Sequence, residues 1–176
     1  MTISDNTQLA HQHHQPAPKP HRLQLLINDL DNPSNIGSLF RMADALGVER
    51  ILLTGSSPTP PNRKLRITSR AADKYVPFEY HDEYSRWVSE LKNDGYCLVA
   101  LEITSTSVDV RALDFDSAQK ICLVLGNENT GINPALLAAC DHTTHIPMQG
   151  HNSSMNVAMA AGIACFEILR GTLVAS

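Results

Sequence analysis

The chain alternates short apolar runs with stretches in which apolar residues recur at helical spacing. Apolar runs at 22–29, 48–54, 75–80, 96–103, 121–126 and 143–147 have the length and composition of β-strands. Helical spacing marks residues 36–46, 83–92 and 134–139, and residues 156–169 predict a long apolar helix. Strands that alternate with helices predict an α/β domain with a mostly parallel sheet flanked by helices.

The first predicted helix has one clearly apolar face. At about 100° per residue, Arg41 lies about 140° from Ile36, opposite that face, so we expect its side chain to be exposed to solvent. Its simplest interpretation is a surface arginine beside Asp44, three residues further on. Gly47 is suited to end the helix. The apolar face comprises Ile36, Leu39, Phe40, Ala43 and Leu46.

The first 21 residues differ in composition from the rest. They hold four of the eight histidines and three prolines, and they show no periodicity, so we predict a disordered tail at 1–21 and one folded domain at 22–176. The longest apolar run, 157–166, is too short to span a bilayer, and no secretory signal opens the chain. The four cysteines lack CxxC spacing, which predicts reduced thiols and a cytoplasmic location without membrane partners.

Basic residues are concentrated in one short window, although the chain as a whole carries a net charge of −4. Within twelve residues, five cations face only one carboxylate, that of Asp73. A solvated loop and short helix would account for any one of them, but the cluster predicts contact with nucleic-acid phosphates. The five are Arg63, Lys64, Arg66, Arg70 and Lys74.

Three blocks join a strand-like run to a loop rich in Gly, Asn or Pro. They are residues 32–41 (NPSNIGSLFR), residues 123–131 (LVLGNENTG), and IPM at 146–148 followed by SSMNVAMAAGI at 153–163. Blocks of this kind gather backbone amides and polar side chains at one edge of a parallel sheet. They therefore predict a ligand site at that edge.

Two common nucleotide sites and a metal site are disfavoured. Gly126 and Gly131 have the spacing of a phosphate-binding loop, but Ile132 and Asn133 stand where Lys and Ser or Thr would be needed. No G-x-G-x-x-G follows a strand, so a Rossmann dehydrogenase is unsupported as well. No cluster of His, Cys and carboxylates has the spacing of metal ligands, and we expect no metal.

Taken in order, the three blocks resemble the motifs of the SpoU (TrmH-type) RNA ribose 2′-O-methyltransferases of the SPOUT superfamily. The resemblance covers residues 23 to about 170. It implies a SPOUT-type fold whose C-terminal part forms a deep trefoil knot, and a homodimer with the active site at the interface. Two positions depart from the family pattern: Asn129 replaces a usual Gly, and Ala158 replaces a common Ser.

The resemblance implies S-adenosylmethionine as the cofactor, held among three loops and largely by backbone groups. Gly126 lacks a Cβ and would let backbone approach this ligand closely. Ile146 and Met148 would offer apolar walls to the adenine, although each of them, like Met155, could equally be core. The positions matched to the cofactor site are Leu101, Glu102, Gly126, Ile146, Met148 and Met155.

The resemblance also implies a catalytic set drawn from all three blocks. Asn35 could instead cap the first helix, and Ser154 and Asn156 could cap the last one. The family arginine is essential and has been proposed as the base. A guanidinium stays protonated in proteins, so we expect Arg41 to position the ribose through its phosphate and to stabilise developing charge. The matched residues are Arg41, Asn35, Glu128, Ser154 and Asn156.

We therefore predict an S-adenosylmethionine-dependent enzyme that methylates a ribose 2′-hydroxyl of RNA. The basic residues of the window 63–74 are expected to contact the RNA phosphates. Small relatives more often modify tRNA than rRNA, which favours tRNA. The alternatives are an rRNA 2′-O-methyltransferase and a non-catalytic RNA-binding protein of the same fold. A mere binder would not need all five catalytic positions. The nucleotide position, its base and the proton acceptor stay open.

Overall fold

The computed structural model describes residues 21–115 and 119–170. Its helices are α1 (Pro33–Leu46), α2 (Arg63–Ser69), α3 (Tyr84–Asn93), α4 (Pro134–Ala139) and α5 (Val157–Arg170). Its strands are β1 (Arg22–Asn28), β2 (Arg50–Thr54), β3 (Phe78–His81), β4 (Cys97–Leu101), β5 (Val108–Asp109), β6 (Lys120–Leu125) and β7 (His142–His145).

The seven strands form one sheet in the order β3-β2-β1-β6-β4-β7-β5, and all of the pairs are parallel. The predicted α/β class with a largely parallel sheet is therefore confirmed. The C-terminal ends of parallel strands meet at one edge, so the loops after β1, β6 and β7 converge there. The trefoil knot stays a prediction of the family resemblance.

Alternating side chains of the central strands serve two separate apolar layers. Leu25 and Ile27 of β1 belong to the layer that also includes apolar residues of α1 and α5. Leu26 points to the other face, into the layer with Trp87 of α3 and Leu136 of α4. The central strands β1 and β6 are therefore covered on both faces, as is usual within a parallel sheet.

Helix α1 begins earlier than the sequence pattern predicts. Asn32 is its N-cap, since the Asn32 side chain accepts a hydrogen bond from the Ser34 amide at 2.9 Å, and Pro33 occupies the first turn. The interpretation of Asn35 as a cap is therefore wrong, because Asn35 lies inside the helix. Gly47 ends the helix with a φ of 68°, as predicted.

The basic window forms α2 and a short 3-10 turn, Ala72–Lys74. Helix α2 packs tightly against α1 at Gly37, where an added Cβ would lie 2.3 Å from the carbonyl oxygen of Leu65. The Thr68 hydroxyl donates a hydrogen bond to the Ser34 carbonyl at 2.9 Å. These contacts fix the basic helix to the start of α1.

The remaining expectations concern β5, the tail and the cysteines. Strand β5 was not predicted, because two residues are too few to show a pattern. Of the predicted tail, only His21 lies within the described residues, and it is buried with its ring against that of Phe115. The four cysteines are free thiols, and burial raises the pKa of Cys97 to about 11. Over the described ranges, none of the helices is both long and apolar enough to cross a membrane.

Candidate active site

A cavity of about 500 Å³ opens at the C-terminal ends of β4, β6 and β7 and at the start of α5. Parallel strands leave their loops at this edge, and three of those loops form its walls. All six residues matched to the cofactor site line this one cavity: Leu101, Glu102, Gly126, Ile146, Met148 and Met155. The structure thus brings together residues spread over 55 positions of the sequence.

The loop that follows β6 folds back on itself. Asn127 and Gly131 exchange two backbone hydrogen bonds of 3.1 and 3.0 Å, and Gly131 has a φ of 72°. A Cβ on Gly126 would lie 2.5 Å from backbone atoms of Gly131 and Ile132. Gly126 is therefore required by the return of its own loop, a reason that the sequence did not show. Asn129 has no positive φ, so its replacement of a glycine calls for no left-handed backbone.

The side chain of Asn127 organises this loop, and sequence reasoning missed it. Its Oδ1 accepts hydrogen bonds from the amides of Asn129 at 2.8 Å and Thr130 at 3.2 Å. Its Nδ2 donates to the Asp29 carbonyl at 2.6 Å and to an Asp31 carboxylate oxygen at 2.9 Å. The two bonds that Oδ1 accepts form an Asx-turn, which the presence of an Asn in a Gly-rich loop could have suggested from the sequence alone. The second pair ties the loop after β6 to the loop after β1.

Glu102, at the end of β4, holds the other end of the same loop. Its carboxylate accepts a hydrogen bond from the Ile132 amide at 3.1 Å and another from the Ile103 amide at 3.0 Å. Glu102 therefore fixes the shape of the cavity wall in addition to lining the cavity.

Three of the predicted catalytic residues form a directed hydrogen-bond chain. The Asn156 Oδ1 caps α5 by accepting from the amides of Ala158 at 3.0 Å and Met159 at 3.3 Å. Its Nδ2 must then face the other way, and it donates to the Asn35 Oδ1 at 2.9 Å. Asn35 in turn donates to the Glu128 carboxylate at 2.8 Å. The cap of α5 thus sets the orientation of both amides, so Asn156 both caps α5 and holds Asn35 in place.

The other two predicted catalytic residues lie in different places. Ser154 is exposed and lines the cavity together with Glu128. Arg41 is six residues beyond Asn35 on α1, about 9 Å along the axis, and lines a shallow cleft between α1 and α2. It is exposed, as predicted, and within the described ranges it has no ion pair, not even with Asp44. A single chain does not bring Arg41 into the cavity.

The charged side chains of the cavity are acidic. Glu102 and Glu128 line it, and among the residues that the structure describes neither a lysine nor an arginine lines it. His145 also lines it, with its Nδ1 at 2.9 Å from the Ser107 hydroxyl, a pair that the sequence gave no reason to select. A cavity of this charge favours a cationic ligand over an anionic one.

The five predicted RNA contacts are all exposed, and we call the stretch of α2, its C-cap and the 3-10 turn that carries them the basic surface. In the part of the chain that the structure describes, carboxylates pair with Arg22, Arg50, Lys92, Arg111 and Arg170. None of the five cations on the basic surface is so paired. They are Arg63, Lys64, Arg66, Arg70 and Lys74.

Helix α5 leaves one apolar face uncovered, as its composition predicts. Met159, Ile163 and Phe166, at spacings of four and three residues, are 65%, 42% and 55% exposed. The adjoining face packs on α1, since a Cβ on Gly162 would lie 3.6 Å from the Met42 Cγ. The uncovered face of α5 therefore lies beside the helix that carries Arg41.

Comparisons with known proteins identify relatives of this chain. A putative TrmH family tRNA/rRNA methyltransferase of Staphylococcus saprophyticus is 29% identical over 146 residues, which are 83% of this chain and 57% of that protein. The chain thus spans a little over half the length of this curated relative.

Two solved structures are similar in fold and sequence. The SpoU methyltransferase AviRb of Streptomyces viridochromogenes, in complex with the cofactor AdoMet, matches with a TM-score of 0.79 and 30% identity. That match covers 92% of this chain and 61% of AviRb. A chain from work on the 2-OH methylation of C/U34 on tRNA matches with a TM-score of 0.74 and 27% identity, over 86% of this chain and 97% of its own length.

The sequence profile of the SpoU rRNA methylase family matches residues 22–166. This match spans the three motif blocks, the cavity and the hydrogen-bond chain from Asn156 to Glu128. The chain therefore belongs to the SpoU rRNA methylase family.

Proposed function

We propose that this chain is an S-adenosylmethionine-dependent methyltransferase that acts on a ribose 2′-hydroxyl of RNA. The observation that carries the proposal is the single cavity lined by all six residues matched to the family cofactor site. Its chemistry fits the ligand, because Glu102 and Glu128 would favour a sulfonium cation. Ile146, Met148 and Met155 offer apolar surface for an adenine. The methyltransferase AviRb, whose fold is similar, has been solved in complex with AdoMet.

The bound cofactor would supply a methyl group on a positively charged sulfur, which leaves with the electron pair of the broken C–S bond. The chain's own residues would arrange the attacking hydroxyl. Asn35 donates a hydrogen bond to one carboxylate oxygen of Glu128. Within the described ranges, the other oxygen of Glu128 accepts no hydrogen bond from a side chain or amide. We assign Glu128 the ordering of the ribose and of the loop at 126–131, with Ser154 as a second polar side chain that lines the same cavity.

We further propose that two copies of the chain pair through the uncovered face of α5. An apolar face of three large side chains on one helix is typical of an interface between subunits. Arg41 lies on the neighbouring helix and within the described ranges has no ion-pair partner, so it is available to act in the partner's cavity across such an interface. There its guanidinium would grip the phosphate beside the ribose and stabilise charge as the hydroxyl loses its proton.

The basic surface supplies the affinity for RNA in this proposal. Five exposed cations within twelve residues, none of them paired with a carboxylate of the described ranges, would release counterions from phosphates on binding. We favour tRNA as the substrate, because the neighbour matched over 97% of its length comes from work on tRNA methylation. The alternatives are an rRNA substrate, and a non-catalytic RNA-binding protein. The intact chain from Asn156 through Asn35 to Glu128 disfavours the latter.

The proposal is tested by methyl transfer from radiolabelled S-adenosylmethionine to unmodified tRNA and rRNA in the presence of a chelator. We expect labelled tRNA, inhibition by S-adenosylhomocysteine, and loss of labelling in Glu128→Gln. Calorimetry on the same samples should show cofactor binding in wild type and in Glu128→Gln. Cofactor binding with neither RNA labelled would contradict the proposed activity, and labelling of rRNA alone would contradict the preference for tRNA.

A further inference from the structure

Tyr75 is an exposed aromatic side chain next to the basic surface. It is 74% exposed, and it directly follows Lys74 at the end of the basic surface. Within the described ranges its ring contacts no other ring or cation, and its hydroxyl has no hydrogen-bond partner. An exposed ring next to a group of cations is the combination that proteins use to stack on the bases of single-stranded nucleic acids.

The other three tyrosines all make contacts within the protein. The Tyr80 hydroxyl donates to the Asp82 carboxylate at 2.7 Å and lies 2.9 Å from the Gly55 carbonyl oxygen. Tyr96 is buried, and its hydroxyl bonds to Gln24 and Glu49. Tyr84 is partly buried against the apolar layer of α3 and α4. Tyr75 is therefore the tyrosine of the four that is left available for binding.

The backbone holds Tyr75 in a fixed place. Its amide donates to the Ala72 carbonyl at 2.9 Å, which closes the 3-10 turn. The turn is tied back to α2 by a hydrogen bond from the Ser69 hydroxyl to the Asp73 carboxylate. Val76, the next residue, is buried. The ring is thus presented on a rigid support, which lowers the entropy lost on binding.

We propose that Tyr75 is a stacking platform for an unpaired base of the RNA. The inference rests on the proposed function, since it takes RNA to be the substrate. Aromatic side chains recognise single-stranded loops by stacking on splayed bases, whereas duplexes keep their bases out of reach. The adjacent cations would hold the phosphates on either side of the stacked base. The basic surface therefore fits a loop or single strand better than a continuous helix.

The test measures the binding of two fluorescent RNAs, a twelve-nucleotide oligoadenylate and a twelve-base-pair duplex, over a series of salt concentrations. The variants are Tyr75→Ala, Tyr75→Leu, Tyr75→Phe and Lys74→Gln. Tyr75→Ala should weaken oligoadenylate binding about 5- to 150-fold, the range for one lost base stack, with no change in the salt slope. Duplex binding should change by less than about twofold.

The remaining variants separate stacking from other contacts. Tyr75→Phe should bind like wild type, and Tyr75→Leu like Tyr75→Ala, because leucine has apolar area but no aromatic face. Lys74→Gln should weaken both RNAs and lower the salt slope by about one. Thermal melts should agree within error, since Tyr75 is exposed.

Three outcomes would overturn the inference. These are wild-type affinity in Tyr75→Ala, equal losses on both RNAs, or a Tyr75→Leu variant that binds as well as Tyr75→Phe. Each of them leaves the proposed methyltransferase standing if wild type binds RNA. A wild type that binds neither RNA would overturn the stacking inference together with the proposed RNA surface.

Discussion

Replacing Gly126 by alanine tests the geometry of the cavity wall with the smallest possible change. The added Cβ would lie 2.5 Å from three backbone atoms, the carbonyl carbon and oxygen of Gly131 and the amide nitrogen of Ile132. Backbone cannot rotate away as a flexible side chain can. The loop at 126–131 must therefore open, which breaks the paired hydrogen bonds between Asn127 and Gly131.

The size of the effect follows from what is lost. Overpacking costs about 1–3 kcal/mol, and each backbone hydrogen bond contributes about 0.5–1.5 kcal/mol net. Because the chain can relieve the overlap by opening the loop, we expect the free energy of unfolding to fall by about 2–4 kcal/mol. The loop residues line the cavity, so cofactor affinity should fall at least about tenfold, or 1.4 kcal/mol.

Gly150→Ala is the matched control for Gly126→Ala. It makes the same chemical change in another loop of the site edge, where a Cβ would meet no atom of the described residues within 4 Å and φ is not positive. Chemical denaturation and calorimetric titration with S-adenosylmethionine should show Gly150→Ala within about 0.5 kcal/mol of wild type. If Gly126→Ala matched this control in both stability and affinity, the account of the loop would be refuted.

Other predictions concern the exposed arginine, the strained turn and the thiols. Arg41→Ala should change stability by no more than about 0.5 kcal/mol yet slow single-turnover methylation about a hundredfold or more, with only partial rescue by Arg41→Lys. If Arg41 acts across the dimer, mixing equal amounts of Arg41→Ala and Glu128→Gln subunits should restore about a quarter of wild-type activity, because half of the dimers are mixed and each of these has one intact site. A wild type that sediments as a monomer would contradict pairing. Ala71→Gly should raise the melting temperature, because Ala71 has a φ of 74° and left-handed backbone costs alanine about 1 kcal/mol; an unchanged or lower value would count against strain there. Burial raises the pKa of Cys97 to about 11 and of Cys140 to about 12, so at pH 8 the native thiols should react with Ellman's reagent far more slowly than the denatured ones. Equal rates would argue against their burial.

The sequence predicts the outline of the fold because its signals are local. Apolar runs and helical spacing identify β1, α1, β6 and α5, since each is long enough to show its period. Strand β5, with its two residues, depends on its pairing with β7 and leaves no trace in the pattern. The start of α1 was misplaced because Asn32 and Asn35 are the same residue type, and local sequence does not say which of them turns its side chain to the backbone.

The candidate site shows the same division between local and distant information. Family motifs selected the six residues that line the cavity, although the contact of Gly126 with its own loop was not foreseen. The chain from Asn156 through Asn35 to Glu128 joins residues 121 and 93 positions apart, and such contacts exist only once the sheet has formed. Ser107 and His145 were missed for that reason, as were the bonds from Asn127 to Asp29 and Asp31, whereas the Asx-turn of Asn127 is local and could have been predicted. The dimer, the knot and the role of Arg41 stay predictions.

The central claim, transfer of a methyl group to a ribose hydroxyl of RNA, is tested most directly by the identity of the product. The purified chain is incubated with S-adenosylmethionine carrying a trideuterated methyl group and, in separate reactions, with unmodified tRNA or rRNA, and the RNA is digested to nucleosides for mass spectrometry. We expect one labelled nucleoside, from tRNA, whose added mass stays on the ribose fragment after the glycosidic bond is broken. A label that moves with the base, or no labelled nucleoside in tRNA or rRNA despite cofactor binding, would contradict it.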